Sequence, residues 1–132
     1  MITFSNFKLG DIFMDINNID VSLDDIMSLN GALAASLIDW DSGMTLGMRT
    51  NGNFDIELAS AGNSEVLKAK MGTIKSVGAN EKIKDILITL TNQIHIITMV
   101  EGQDELCLYV ALDSSKSNLA LARNKMNSVA KA

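Results

Sequence analysis

The C-terminal half of the chain carries three short apolar segments separated by polar residues. In chain order they are ILITLT, IHIITMV and LCLYVAL. Apolar side chains recur at alternate positions in each segment, which is the spacing that places them on one face of a β-strand. The polar breaks at 91–93 and 101–105 are typical of turns between antiparallel neighbours. The pattern predicts a three-stranded antiparallel meander, with strands over 85–91, 94–100 and 106–112.

A helical pattern follows the meander. Leu119, Ala122, Met126 and Val129 recur at helical spacing, which predicts a buried stripe along one face of a last helix. The polar residues 113–115 precede this segment, and we expect them to cap it.

The N-terminal part predicts a first helix that begins at Ser22. A serine followed by carboxylates, here Asp24 and Asp25, is typical of a helix N-terminus, where acidic groups meet the positive end of the helix dipole. The Asn-Gly pair at 30–31 predicts the end of this helix. Residues 1–20 are weakly patterned, and three alternatives stay open for them: a strand, an additional helical turn or a mobile arm.

Two strands are predicted next, over 32–39 and 44–49, with a turn at 40–43. The first strand is apolar on both faces, so we expect it in the middle of a sheet that is covered on both sides. The second strand is more polar, as an edge strand can be. The third strand of the meander is also apolar on both faces. We therefore expect it beside the strand at 32–39.

The longest helical pattern covers 54–77, and Gly78 is its predicted C-terminal stop. Its predicted apolar stripe comprises Ile56, Ala59, Leu67, Met71, Ile74 and Val77. Gly62 and Asn63 interrupt the pattern, and we predict that a single helix continues through them. The order of elements is then α-β-β-α-β-β-β-α, which favours an α+β fold with an antiparallel sheet sandwiched between helices.

Composition restricts the function. At 132 residues the chain is expected to form one domain, and a net charge of −5 argues against nucleic-acid binding. No uncharged apolar run is long enough for a transmembrane helix. Asp11 and Asp15 interrupt the start, so we expect no secretory signal. With Cys107 as the only cysteine there is no disulfide framework, which suits the cytoplasm.

The charge is unevenly distributed. Residues 1–66 carry ten acidic and two basic side chains, whereas residues 67–132 carry six acidic and nine basic ones. Five of the basic residues lie close together in sequence: Lys68, Lys70, Lys75, Lys82 and Lys84. They form either an ordinary solvated helix face and loop, or a basic patch for an acidic partner or a membrane surface.

Candidate catalytic chemistry is sparse. His95 is the only histidine, and its place between two isoleucines is typical of a structural or surface residue. Cys107 is expected to be buried and inert. Asp39, Asp41 and Asp113 are able to gather at one end of the sheet, but carboxylates at strand ends are ordinary turn formers. Paired metal ligands and a P-loop are missing from the sequence. We expect no enzyme, no cofactor and no metal site.

The order of these pieces resembles the Roadblock/dynein-light-chain family. The resemblance covers about residues 22–130 and lies in LNGALAASLIDWDSGMTLG, the long helix, DILITLTNQIHIITMVEGQDELCLYVALD and the final NLALARNKM. It implies a profilin-like sheet in the order 2-1-5-4-3, formed by a domain over 21–132 that follows an extension over 1–20. The length of that extension and the Gly62-Asn63 interruption depart from the compact family pattern.

The resemblance also implies a function. Family members dimerise by joining their third strands, with the long helices side by side, and they regulate or scaffold small Ras-like GTPases without supplying catalytic residues. For this chain we expect a homodimer through Met71, Ile86 and Ile88. We expect a partner surface at Lys68 and Lys75.

Two other functions stay open. One is a small-molecule sensory domain with a pocket between sheet and helix, for which His95, Tyr109 and Thr98 are the candidate polar groups. The other is a self-assembling structural subunit, in which edge strands pair beyond a dimer.

Overall fold

The computed structural model describes the backbone of residues 9–131 and the side chains of residues 18–131. The elements are α1 (Leu9–Met27), β1 (Ala32–Asp39), β2 (Met44–Thr50), α2 (Ile56–Ser76), β3 (Asp85–Thr89), β4 (Gln93–Met99), β5 (Leu106–Asp113) and α3 (Leu119–Lys131). The strands form one antiparallel sheet in the order β2-β1-β5-β4-β3. This confirms the predicted fold class, strand order and central position of β1 and β5.

One side of the sheet, which we call the closed face, lies under α1 and α3. Leu108, Val110 and Leu112 of β5 point into it and are buried against Leu23 of α1 and Met126 of α3. Among the described residues this core consists of isoleucine, leucine, valine, alanine and methionine side chains, with Thr98 as a buried polar neighbour on the same face. Two helices cover this side of the sheet and bury the side chains of the central strands.

The other side, which we call the open face, lies under α2 alone. Because strand side chains alternate, Cys107, Tyr109 and Ala111 of β5 point to this side and pack with Ile56 and Leu67 of α2. α2 packs mainly against β1 and β2, at one end of the sheet. The part of the open face on β4 and β3 is therefore only partly covered.

Two glycines fix how closely the elements approach each other. Gly31 has a φ of 83°, and a Cβ there would lie 2.9 Å from the carbonyl oxygen of Asp113. Only glycine takes that conformation without strain. A Cβ on Gly47 of β2 would lie 2.6 Å from the Ile19 side chain of α1. The absence of a side chain at Gly47 lets α1 lie directly on β2.

The predicted start of the first helix was wrong. α1 runs from Leu9, so Ser22 lies inside it and caps nothing. Asp24 and Asp25 lie near its C-terminal end, where the helix dipole disfavours carboxylates. Arg49 of β2 binds Asp24 at 3.0 Å and Lys125 of α3 binds Asp25 at 2.8 Å. These acidic residues are ion-pair partners for the neighbouring elements.

The division of the chain at residue 20 stays a prediction, although α1 crosses it. Of the alternatives for residues 1–20, a helix is observed for 9–20. Residues 1–8 lie outside the described part of the chain.

Several element ends also differ from the prediction. Asn118, and not residues 113–115, caps α3, since its side-chain oxygen accepts from the N–H of Leu121. Leu119 is 41% exposed, so it does not belong to the buried stripe of α3, whereas Ala130 does. β3 ends at Thr89, whereas the predicted strand ended at residue 91. A bulge between Leu37 and Ile38 shifts the register of β1 against β2.

Candidate interaction surface

β3 forms one end of the sheet and pairs only with β4. The carbonyl of Lys84 accepts from the N–H of Met99, and the N–H of Leu90 donates to Gln93, so even-numbered residues of β3 direct their backbone groups to β4. Backbone groups alternate along a strand. The N–H groups of Leu87 and Thr89 therefore point away from the sheet. An edge of this kind is a template for pairing with another chain.

The side chains of this edge are apolar on the open face and mixed on the closed face. Ile86 and Ile88 lie on the open face and are half-buried, and Ile86 packs against the core beneath α2. Leu87 lies on the closed face and is 36% exposed. No proline or inward-pointing charge protects the outer side of β3, apart from Asp85 at its start, whose carboxylate is held by Arg123 of α3 at 2.7 Å.

α2 adds an exposed apolar flank beside the open face. Asn63 lies beside the Tyr109 hydroxyl of β5, so the helix surface next to Asn63 is turned towards β5 and β4. At 100° per residue, Val66 follows on that flank, with Gly62 and Leu58 further out. Val66 is 39% exposed and Leu58 is 71% exposed. We call Phe54, Val66, Ile86, Ile88 and His95 the uncovered patch.

His95 is the polar centre of the uncovered patch. Its Nε2 lies 2.8 Å from Oε1 of Gln93, and its Nδ1 lies 3.3 Å from the Tyr109 hydroxyl. The ring meets Tyr109 and Phe54 edge to face, with centroid distances of 5.4 and 6.3 Å. Burial lowers the pKa of His95 below its ordinary value. It also raises the pKa of Tyr109 to about 12, so the phenol stays protonated.

The buried stripe of α2 differs from the predicted one. The buried residues of α2 are Ile56, Ser60, Asn63, Ser64 and Leu67. Val77 is 72% exposed and lies at the C-cap position of the helix. The Ser60 hydroxyl pairs with that of Ser36 in β1 at 2.9 Å. The helix is uninterrupted at Gly62 and Asn63, as predicted.

The buried polar residues of α2 were not predicted, because the predicted stripe was derived from the apolar residues alone. The signal was available in part: Ser60, Asn63 and Ser64 recur at helical spacing between Ile56 and Leu67.

The predicted interface residues fall on two separate surfaces. Met71 is half-buried on the same side of α2 as Leu67, and Ile86 and Ile88 lie on β3. Lys68 and Lys75 are exposed and lie on the flank of α2 opposite Val66. Lys68 is 3.7 Å from Glu65 of the same helix. Their roles at an interface stay predictions.

The candidate polar groups for a ligand pocket do not converge. His95 and Tyr109 lie on the open face, whereas Thr98 pairs with Leu108 and lies on the closed face. An open groove of about 470 Å³ lies elsewhere, between the end of α1 and α3. None of the three candidates lines that groove. This arrangement does not favour a sensory pocket.

The remaining candidate chemistry is structural where the side chains are described. Burial raises the pKa of Cys107 to about 12, so it is a thiol and not a thiolate at neutral pH. Asp39 accepts from the backbone N–H groups of Asp41 and Ser42, which is a turn-forming role. Hydrogen bonds from Ser115 lower the pKa of Asp113.

Neither a metal site nor a membrane-spanning helix is found among the described residues. Within residues 18–131, no three His, Cys, Asp or Glu side chains are placed to hold a metal ion. In the same part of the chain, no helix combines the length and the hydropathy that crossing a membrane requires.

Comparison with known proteins identifies the fold through solved structures. No protein-family model matches the chain, and no curated protein matches it. Solved structures do. MglB from Myxococcus xanthus matches with a TM-score of 0.72 and 19% identity, over 85% of this chain and 88% of that chain. An MglB with a tetrameric arrangement matches with a TM-score of 0.75 and 14% identity, over 88% and 85%.

A third similar structure is a Roadblock/LC7 domain. The Roadblock/LC7 domain from Streptomyces avermitilis matches with a TM-score of 0.71 and 12% identity, over 84% of this chain and 90% of that chain. The strand order, the helix placement and these three similarities agree, and the chain has the Roadblock/LC7-type fold.

Proposed function

We propose that this chain is a non-catalytic, dimeric interaction protein of the cytoplasm that regulates or scaffolds a small Ras-like GTPase. The observation that carries the proposal is the edge strand β3, which carries Ile86 and Ile88 on the open face and has outward-pointing backbone groups. The fold and its similarity to MglB support the same reading.

Self-association through β3 satisfies two physical needs at once. Antiparallel pairing of β3 with its copy gives the outward N–H and C=O groups of Leu87 and Thr89 partners, and it continues the sheet to ten strands. The same approach brings Ile86 and Ile88 of each copy under Val66 on the flank of the partner's α2. Met71 lies on the other side of the buried stripe of α2, towards Lys75.

A matched pair of variants tests this dimer. Ile88→Lys puts a charge into the proposed interface, whereas Val21→Lys makes the same change at a residue of α1 that is 69% exposed. In sedimentation velocity at micromolar concentration, wild type and Val21→Lys are expected to form a dimer and Ile88→Lys a 14.2 kDa monomer. A wild-type chain that sediments only as monomer refutes the dimer, and species larger than a dimer support the self-assembling alternative.

The partner surface is proposed at Lys68 and Lys75. Their spacing of seven residues places both amines on one exposed flank of α2, away from the uncovered patch. A dimer thus keeps its positive charges accessible. They suit a partner with an acidic surface, which attracts them most strongly at low ionic strength.

Titration against small GTPases encoded beside this chain tests the partner. The triphosphate-bound GTPase is expected to bind, with a change in its hydrolysis rate if the chain regulates and none if it scaffolds. A Lys68→Glu, Lys75→Glu variant should lose binding. A Lys116→Glu, Lys131→Glu control, with the same charge change on other exposed residues, should keep it. Equal loss in both variants, or no binding by wild type, contradicts the assignment.

A further inference from the structure

The uncovered patch contains one group that changes charge near neutral pH. His95 is the only histidine of the chain. It lies on β4, paired with Ile88 of β3 on one side and with Ala111 of β5 on the other. Phe54, in the segment before α2, contacts the His95 ring edge to face. The imidazole is half-buried in this chain and lies beside the edge strand.

The hydrogen bonds of His95 suit a neutral ring. Gln93 presents a carbonyl oxygen to Nε2, so Nε2 donates. Nδ1 is then free to accept from the hydroxyl of Tyr109, a residue that is fully buried and stays protonated. A second proton on the ring would occupy Nδ1, which would then donate to the Tyr109 oxygen, and the phenol proton would need another acceptor. Protonation therefore reverses this hydrogen bond and leaves the buried Tyr109 O–H without the acceptor that the neutral ring gives it.

Among the described side chains of the elements around the ring, no carboxylate forms an ion pair with His95 that would balance a positive charge. β3 contributes Ile88, and β5 contributes Ala111 and Tyr109. Asp113 lies opposite Gln93 and already accepts two hydrogen bonds from Ser115.

α2 adds no balancing charge either. It presents the neutral side chain of Asn63, the exposed Lys70, and its own N-terminus, where Asp55 caps the N–H of Leu58. The positive end of the helix dipole disfavours a further cation there.

We propose that protonation of His95 dissociates the dimer, so that self-association through β3 is controlled by pH. This inference rests on the proposed dimer. In the monomer, water reaches one side of the ring and can solvate an imidazolium. In the dimer, apolar side chains of the second copy replace that water. The dimer therefore favours the neutral ring, and its dissociation is coupled to the uptake of up to two protons, one per chain.

The test is the dimer dissociation constant measured by sedimentation between pH 8 and pH 5.5, with circular dichroism to confirm that the chain stays folded. For wild type we expect Kd to rise by about tenfold or more as the pH falls, since one coupled proton changes Kd about tenfold per pH unit between the two pKa values. His95→Gln keeps a neutral polar side chain and is expected to dimerise with the same Kd at both pH values.

The single imidazole gives a second readout. Its Cε1 proton resonance, followed by NMR, should titrate at a lower pH at high protein concentration, where dimer dominates, than at low concentration. An identical midpoint at both concentrations overturns the proposal.

The outcomes separate the two hypotheses. No dimer at any pH defeats the proposed function and this inference together. A dimer whose Kd is the same at pH 8 and pH 5.5 leaves the proposed function standing and overturns the His95 mechanism. A pH dependence that persists in His95→Gln also overturns it, because a carboxylate must then be responsible.

Discussion

The two sides of the sheet are built differently. The closed face has two helices, a mainly apolar core and ion pairs at its margin that join α1 and α3 to the strands and to each other. The open face has a single helix that packs through Ile56, Leu67 and a few buried polar side chains, and it leaves Ile86 and Ile88 only partly buried. The contrast indicates that the closed face stabilises each chain and that the open face is available to a partner.

The largest expected effect tests the closed face. Leu108→Ala removes a fully buried side chain between α1 and α3. We expect the free energy of unfolding to fall by about 3 kcal/mol, from lost burial and from the cavity left behind. Urea denaturation at low protein concentration measures it. A loss below about 1 kcal/mol would mean that the closed face does not dominate stability.

A truncation on the open face should behave in the opposite way. Ile88→Ala is expected to change the unfolding free energy of the dilute chain by less than about 1 kcal/mol, because Ile88 is only half-buried there. Its dimer Kd should rise about tenfold, which corresponds to about 1.4 kcal/mol. Paired denaturation and sedimentation measurements check both values. If the monomer loses as much stability as in Leu108→Ala, the two faces do not differ as described.

The third prediction concerns the polar layer beneath α2. Ser60→Ala leaves the buried Ser36 hydroxyl without its partner and is expected to cost about 1 kcal/mol. Replacing both serines with alanine should cost no more than Ser60→Ala alone, because neither hydroxyl is then left unpaired. Denaturation of the two single variants and the double variant measures the coupling. Additive costs would show that the two hydroxyls do not depend on each other.

The smallest effect is the pH dependence of the dilute chain. Burial places the pKa of His95 below its ordinary value of 6.5. The unfolded chain therefore binds the proton more readily, so the stability from the neutral ring is fully present above pH 6.5. It should decrease as the pH falls towards the folded pKa. Denaturation at pH 7.5 and pH 5.5 is expected to show a larger loss for wild type than for His95→Gln. Equal losses would remove His95 as the cause.

The central strands could be predicted from the sequence, whereas the start of α1 could not. β1 and β5 are apolar at nearly every position, and such strands fit only where both faces are covered. Ser22 and the acidic residues after it carry a local signal for a helix start. That signal was overridden because Ile19, Leu23 and Ile26 recur at helical spacing and are buried on the sheet, so the helix includes residues before Ser22.

Only the part of the candidate site on the edge strand β3 could be predicted from the sequence. Apolar alternation located β3 and therefore Ile86 and Ile88. The burial of Ser60 and Asn63 depends on Ser36 and Tyr109, which lie on other strands. A periodicity of apolar residues along one helix contains no information about such partners.

Backbone hydrogen exchange of β3 at dimer and monomer concentrations tests the central claim most directly. The N–H groups of Leu87 and Thr89 point away from β4, so in the monomer they should exchange rapidly. We expect both to become protected as the concentration rises, while the N–H groups of Ile86 and Ile88, which bond to β4, change much less. If the chain dimerises and the exchange at Leu87 and Thr89 is the same at both concentrations, the copies meet elsewhere and the account of the open edge is wrong.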